Sequence, residues 1–299
     1  MLLKEIRDLI DRHARPDMGT PIDGVMVARH DVSSREPSMS GSVMALIVQG
    51  LKRLALGDRV YEYGPGEYLV SSLDMPVTGQ FIDASAEQPA LGFGLALHPP
   101  TIAELLLQST SSALREARGP TPSGMLVSEA PRQLLDAVAR LLRLLDSPRD
   151  IPVLAPLIKR EIHWWLIVGP QGAAVRQLGL ADSNLNHIAR AVHWIREHHV
   201  RAFRVEDVAE ISGMSPSAFY RNFQSVTAMS PIQFQKQIRL QQARLMLASG
   251  REDISGVGYS VGYESAAQFS REYRRQFGAA PSQDALQLRG LGQMPLSVV

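Results

Sequence analysis

Arg221 and Arg271 are the residues of this chain whose chemistry is easiest to name. Each stands between two aromatics, Phe219 and Phe223 in one stretch and Phe269 and Tyr273 in another, with fifty positions separating the copies. On a helix, aromatics at i and i+4 share a buried face and the arginine between them turns away from it. A guanidinium held this way is a rigid, permanently charged fork. It suits guanine O6 and N7 in a bidentate bond, a phosphate, or a carboxylate of its own chain.

Other chemistries find less support. The sequence has no His-Glu-x-x-His and no Gly-x-x-x-x-Gly-Lys phosphate loop. Gly92-Phe93-Gly94 begins like a dinucleotide fingerprint, but Leu97 occupies the place of the third glycine. Metal-dependent catalysis in a small β-barrel ordinarily needs His-x-His with a downstream carboxylate and another histidine. The first half offers only His13, His30, His98 and His163, none so spaced, and His198-His199 is expected to face solvent at a helix end. With no cysteine, thiolate metal sites, disulfides and thiol redox sensing are excluded. No metal and no cofactor is expected.

The arginines need helices to hold them, and the surrounding residues supply these twice. Ser215 aligns with Ser265 and Pro231 with Pro281. Val205–Ser212 reads as a short helix, followed by Gly213 where the turn must tolerate positive φ. Ser215-Pro216 then opens a second helix with a capping hydroxyl and a proline at its first position. Ser265-Ala266-Ala267-Gln268 reads as a capping box before Phe269. Between the copies, Ser230-Pro231-Ile232-Gln233 caps a helix running to about Ala248. Its roughly 18 residues at about 1.5 Å each span some 27 Å, against about 34 Å for one turn of DNA. Two such helix-turn-helix modules could therefore enter successive major grooves on one face. In the second module Gly258 stands at the helix crossing where the first has Ala209, and Gly256 precedes it. These glycines should loosen that module, and Gly256 should accept alanine.

Residues 205–287 resemble the DNA-binding domain of the AraC/XylS transcription regulators. The stretches that carry this are AFYRNF, MSPIQFQKQIRLQQARLML, VGYESAAQFSREYRRQFG and AAP. The first half is similar to the amino-terminal domain of an AraC-type subgroup through IVQGLKRLALGD and YEYGPGEYLVSSLDMPVTG. The resemblance implies base reading by Ser217, Tyr220 and Arg221 in the first module and by Ala267, Gln268, Ser270 and Arg271 in the second. Lys236 and Arg274 are candidates for phosphate contacts. Gln268 also stands where it could serve its own helix, and either arginine could hold a phosphate or an ion pair. Double-stranded DNA and RNA polymerase are the partners implied, with a small-molecule effector and a homodimer formed through the amino-terminal domain.

Composition agrees with two domains. From Ser183 onward 13 Lys/Arg face 9 Asp/Glu, while the rest has 18 against 21, so the basic excess lies in the last third. Leu2–His13 reads as an amphipathic helix. Val25–Ala28, Val43–Gln49, Arg59–Tyr63, Tyr68–Ser72, Gly79–Asp83 and Leu91–Leu97 are short, turn-punctuated runs of strand character. Gly57-Asp58 and Gly64-Pro65-Gly66 look like hairpin turns. Helices return at Thr101-Ile102-Ala103-Glu104, a second apparent capping box, then over Pro131–Ser147 and Pro152–Val168 after a loop at 118–123. The leucines of Pro131–Ser147 suggest either packing on the barrel or a dimer contact. The expected fold class is α+β: a cupin-like β-barrel with flanking helices over 1–168, a linker at 169–183, an all-α double helix-turn-helix domain over 184–289, and a tail at 290–299. The charged start and the lack of an 18-residue apolar run point to a cytoplasmic protein with no membrane segment. Two rival readings are a metal-independent cupin-like enzyme that also binds DNA, and a ligand-free regulator whose barrel only dimerises.

Overall fold

The computed structural model describes residues 1–33, 35–109, 122–180, 182–250 and 253–290. Residues 118–121 of the expected loop and 291–299 of the expected tail lie outside them. Among the described residues nine strands form two antiparallel sheets: β1 (Val25–His30), β2 (Arg35–Ser40), β3 (Val43–Gln49), β4 (Leu51–Leu56), β5 (Arg59–Tyr63), β6 (Glu67–Ser71), β7 (Met75–Ile82), β8 (Ala90–Ala96) and β9 (Met125–Glu129). One sheet runs β1-β8-β3-β6-β9 and the other β2-β7-β4-β5. Ile47, Leu69 and Ala90 of the first sheet meet Tyr63 and Phe81 of the second between them. There His30 stacks on Phe81 with ring centroids 4.5 Å apart, and the buried Lys52 holds its ammonium 4.9 Å from the same ring.

The outer face of the five-stranded sheet is buried too. Val27, Met44, Leu46 and Phe93 pack beneath Ile6, Leu9 and Ile10 of α1 (Leu2–His13). Burial on both faces is why β3 reads as an unbroken apolar run, whereas a half-exposed strand would alternate. Four more helices cover the same side: α2 (Pro99–Gln108), α3 (Arg132–Arg143), α4 (Ile151–Val168) and α5 (Gly172–Gly179). Leu134, Leu141, Leu142, Leu144 and Leu145 are buried here, and Leu135 is half-buried.

Four local readings change. The stretch 169–183, expected as a linker, carries α5, whose Ala174, Val175 and Leu178 are buried; its flanking glycines hid that pattern. The box at Thr101–Glu104 does not form, because α2 starts at Pro99 and the side chain of His98 accepts the Thr101 N–H. Prolines lack the N–H that the first helical turn leaves unused, so Pro99-Pro100 moves the start upstream. Gly64-Pro65-Gly66 joins β5 to β6 in the opposite sheet and is therefore a crossing between sheets, while Gly57-Asp58 does close the β4–β5 hairpin. The strands β2, β4 and β9 went unread.

His163 of α4 is 2% exposed. Its Nδ1 is 2.7 Å from Lys159 O, which can only accept, and its Nε2 receives the His98 N–H at 3.0 Å. The ring is therefore neutral with the proton on Nδ1. Burial lowers its pKa from the ordinary value near 6.5 and outweighs the hydrogen bond to Lys159 O, which raises it. Since the folded pKa is the lower one, its stabilisation is full above pH 6.5 and is lost as pH falls towards the folded value. Urea titrations should show wild type losing up to about 1.4 kcal/mol per pH unit below 6.5 relative to His163→Leu. Parallel curves for the two proteins would show that this ring is not the sensitive group.

Among the described residues seven helices follow: α6 (Asn184–Glu197), α7 (Val205–Ser212), α8 (Pro216–Thr227), α9 (Pro231–Ala248), α10 (Ile254–Ser260), α11 (Ala266–Phe277) and α12 (Pro281–Gly290). Their apolar residues fall into two cores. Val208, Ala209, Phe219, Phe223, Val226, Phe234 and Ile238 belong to the cluster that also holds the barrel and its helices. Leu240, Ala243, Leu247, Val257, Phe269 and Tyr273 form a separate one.

Candidate nucleic-acid interface

The two recognition helices, α8 and α11, are fixed from behind. Gly213 takes the expected left-handed turn at φ 75°, and Ser215 Oγ accepts from Ala218 N at 3.4 Å. The rings of Phe219 and Phe223 lie tilted with centroids 5.3 Å apart, and Phe223 meets Phe234 of α9 edge-on at 5.5 Å. In the second module Gly262 turns at φ 92° and Ser265 Oγ accepts from Gln268 N. Phe269 and Tyr273 lie 5.5 Å apart. Tyr273 OH donates to Asp284 Oδ2 at 2.7 Å, and Arg244 Nε holds the same oxygen at 2.8 Å. Burial raises the Tyr273 pKa and the bond to Asp284 adds to it, so this hydroxyl remains a donor.

With those faces buried, Ser217, Tyr220 and Arg221 emerge together on α8, and Ala267, Arg271 and Arg274 on α11. Ser270 is half-buried. Gln268 and Lys236 go elsewhere. Gln268 Nε2 donates to Glu272 Oε1 at 3.2 Å, so the reciprocal half of the expected capping box is absent. Lys236 Nζ reaches the same oxygen at 2.9 Å, and Tyr263 OH donates to Oε2 at 2.9 Å. Burial alone would raise the Glu272 pKa, but these donors outweigh it and the carboxyl titrates below its ordinary value. The network ties α11 to α9. Arg239 of α9 adds bonds to Val200 O and Gly262 O.

Three residues outside the modules also act on α8. Arg59 Nη1 donates to Ser225 O at 3.2 Å, and Gly124 N donates to Val226 O at 3.0 Å. Gly57, at the hairpin tip with φ 59°, comes so close that a Cβ would lie 2.6 Å from Ala228 O. At Gly124 a Cβ would lie 2.7 Å from Val226 O. The sequence marks Gly57 as a turn but carries no signal of what it touches.

Gly258-Tyr259-Ser260-Val261-Gly262 has the spacing of a serine nucleophile elbow. Ser260 ends a helix, however, and its hydroxyl donates to Val257 O at 2.9 Å, which is the behaviour of a satisfied structural serine.

The crossing in the second module has closed around Gly258, where a Cβ would stand 2.9 Å from Phe269 Cδ1. At Gly256 a Cβ would meet only the carboxylate end of Asp253, an exposed side chain that makes no capping bond and can turn aside, so this position can accept alanine. Gly258→Ala is expected to destabilise the second module by about 1–3 kcal/mol through overpacking. Hydrogen exchange should speed up over 254–277 and stay unchanged over 205–227. Unaltered exchange at 254–277 would mean that the Phe269 ring yields without cost.

Comparison with known proteins agrees with this geometry. Residues 21–174 match the family described as AraC-type transcriptional regulator N-terminus, and residues 208–285 match a helix-turn-helix domain. The virulence regulon transcriptional activator VirF of Yersinia enterocolitica is 26% identical over 194 residues, 63% of this chain and 70% of that protein. The HTH-type transcriptional regulator ExsA of Pseudomonas aeruginosa is 25% identical over 224 residues, 73% of each. Unsaturated-fatty-acid-bound ToxT from Vibrio cholerae strain SCE256 has the same fold, with a TM-score of 0.53 at 11% identity over 91% of this chain and 98% of that one. Among the described residues no helix is long and apolar enough to cross a membrane. With its barrel matching over half its length and both modules in place behind it, the chain belongs to the AraC-type family of DNA-binding transcription regulators.

Proposed function

We propose that α8 and α11 read successive major grooves of one operator, and that a small molecule sets how readily they do so. The observation that carries this is the paired presentation of Arg221 and Arg271, exposed on helices whose opposite faces are buried. Ser217 and Tyr220 accompany Arg221, and Ala267 and Ser270 accompany Arg271, as the groups reaching base edges. Arg274 serves a phosphate. Lys236 and Gln268, engaged with Glu272, act by holding α11 in place. The bound fatty acid of ToxT supports an effector here by likeness of fold. Contact with RNA polymerase and a homodimer formed through the amino-terminal domain complete the reading. None of these roles requires catalysis.

Selection of bound sequences from random duplex DNA tests the proposal and defines the operator. On that site, Arg221→Ala and Arg271→Ala are each expected to cost about 1–3 kcal/mol and to relax preference at one base pair. Wild-type affinity and specificity in both variants would remove these arginines from base reading.

A further inference from the structure

We infer that the barrel carries an electrostatic brake on DNA binding: Asp58, at the tip of the β4–β5 hairpin, stands in the cleft between the two recognition helices, where a DNA backbone must run. The inference rests on the operator reading above and adds to it a residue from outside the helix-turn-helix modules.

The place of the cleft follows from how two helices straddle a duplex. Helices seated in successive major grooves on one face leave the intervening minor groove, with its two backbones, between them. Here that interval is a solvent-open cleft of about 380 Å³, bounded by α8, α9, α11 and the hairpin tip. From α8 it takes the exposed Gln224, three residues beyond Arg221 and four beyond Tyr220, hence on the stripe that carries the base-reading groups. From α11 it takes Arg275, four residues beyond Arg271. The cleft therefore opens along both reading faces, and backbone phosphates approach it when both helices are seated.

The charges around it do not all cancel. Lys236 Nζ and Glu272 Oε1 pair at 2.9 Å. Arg59, next along the hairpin, turns its guanidinium to Ser225 O and Ser123 Oγ. Arg275 is exposed with no hydrogen-bond or ion-pair partner among the described residues, which suits it to a phosphate. Asp58 is equally exposed and equally without a partner among them, and it opposes the phosphate that Arg275 would attract. The hairpin tip is anchored on both sides of it, by Gly57 against Ala228 O and by Arg59 on Ser225 O. A unit charge about 4 Å from a phosphate changes affinity about fivefold in water. Because the opposing charge belongs to the barrel, whatever moves the hairpin changes affinity for DNA without touching a base-reading residue.

Anisotropy titrations of the full-length chain on the selected duplex, over a range of salt, test this. Asp58→Asn, which keeps a residue suited to the turn, should bind about three- to tenfold tighter than wild type at about 50 mM salt. The gain should shrink below about twofold near 0.3 M, where screening shortens the reach of the charge. Asp58→Lys should gain more and steepen the fall of log K with log salt by about 1. Asp58→Glu, which keeps the charge, should bind as wild type does. Glu87→Gln makes the same change in net charge in the loop after Ile82, at the opposite end of β4 from the tip, and should stay within about twofold of wild type. Unchanged or weaker binding by Asp58→Asn, or an equal gain in Asp58→Glu or Glu87→Gln, would each overturn the brake. Sequence-selective binding by wild type with no gain in Asp58→Asn overturns this inference alone. Its absence in wild type overturns the operator reading and the brake with it.

Discussion

The last carbonyls of a helix have no partner within it, and at the end of α8 the barrel supplies them. Arg59 and Gly124 donate to Ser225 O and Val226 O, and the Gly57 backbone presses against Ala228. A cation at this end also meets the negative pole of the helix dipole. Both close approaches are made at glycines, so the contact is between backbones and leaves little play. The rest of the arrangement depends on it. The core of the first module runs unbroken into that of the barrel, and the direction in which α9 departs is settled before the second module begins.

The second module is held by other means. α9 changes allegiance along its length: Phe234 and Ile238 sit in the larger core, Leu240, Ala243 and Leu247 in the smaller. Beyond that change, position is kept by polar bonds, with Glu272 collecting Lys236, Gln268 and Tyr263 and with Asp284 collecting Arg244 and Tyr273. Glu272, bound by its three donors, titrates below its ordinary value despite burial, at the cost of demanding all of them at once. The two recognition helices are thus alike in sequence and unlike in support.

What could be read from the sequence follows the range of the forces involved. The helix bounds Val205–Ser212 and the caps at Ser215, Ser230 and Ser265 depend on neighbours within one turn, and they stand where expected. So do β3 and β5. The strand β4 was hidden because Lys52 and Arg53 break its pattern, although Lys52 in fact lies buried against Phe81. The fate of Lys236 was set by Glu272, thirty-six residues away, and that of the α8 terminus by Arg59, 166 residues before Ser225. Nothing local marks either pairing.

The change of core within α9 bears on how such a protein could be recombined. A chimaera joining residues 183–290 to a foreign sensor would sever the first module from half of its interior and bare the carbonyls of Ser225 and Val226. Exchange between Ile238 and Leu240 would divide no apolar cluster, because one ends and the next begins there, and would leave the buried bonds from Gln241 to Ser38 O and Val77 O to be rebuilt on the barrel. The portable unit is therefore the second module alone, and a library that swaps it would leave the barrel and the first module as they are.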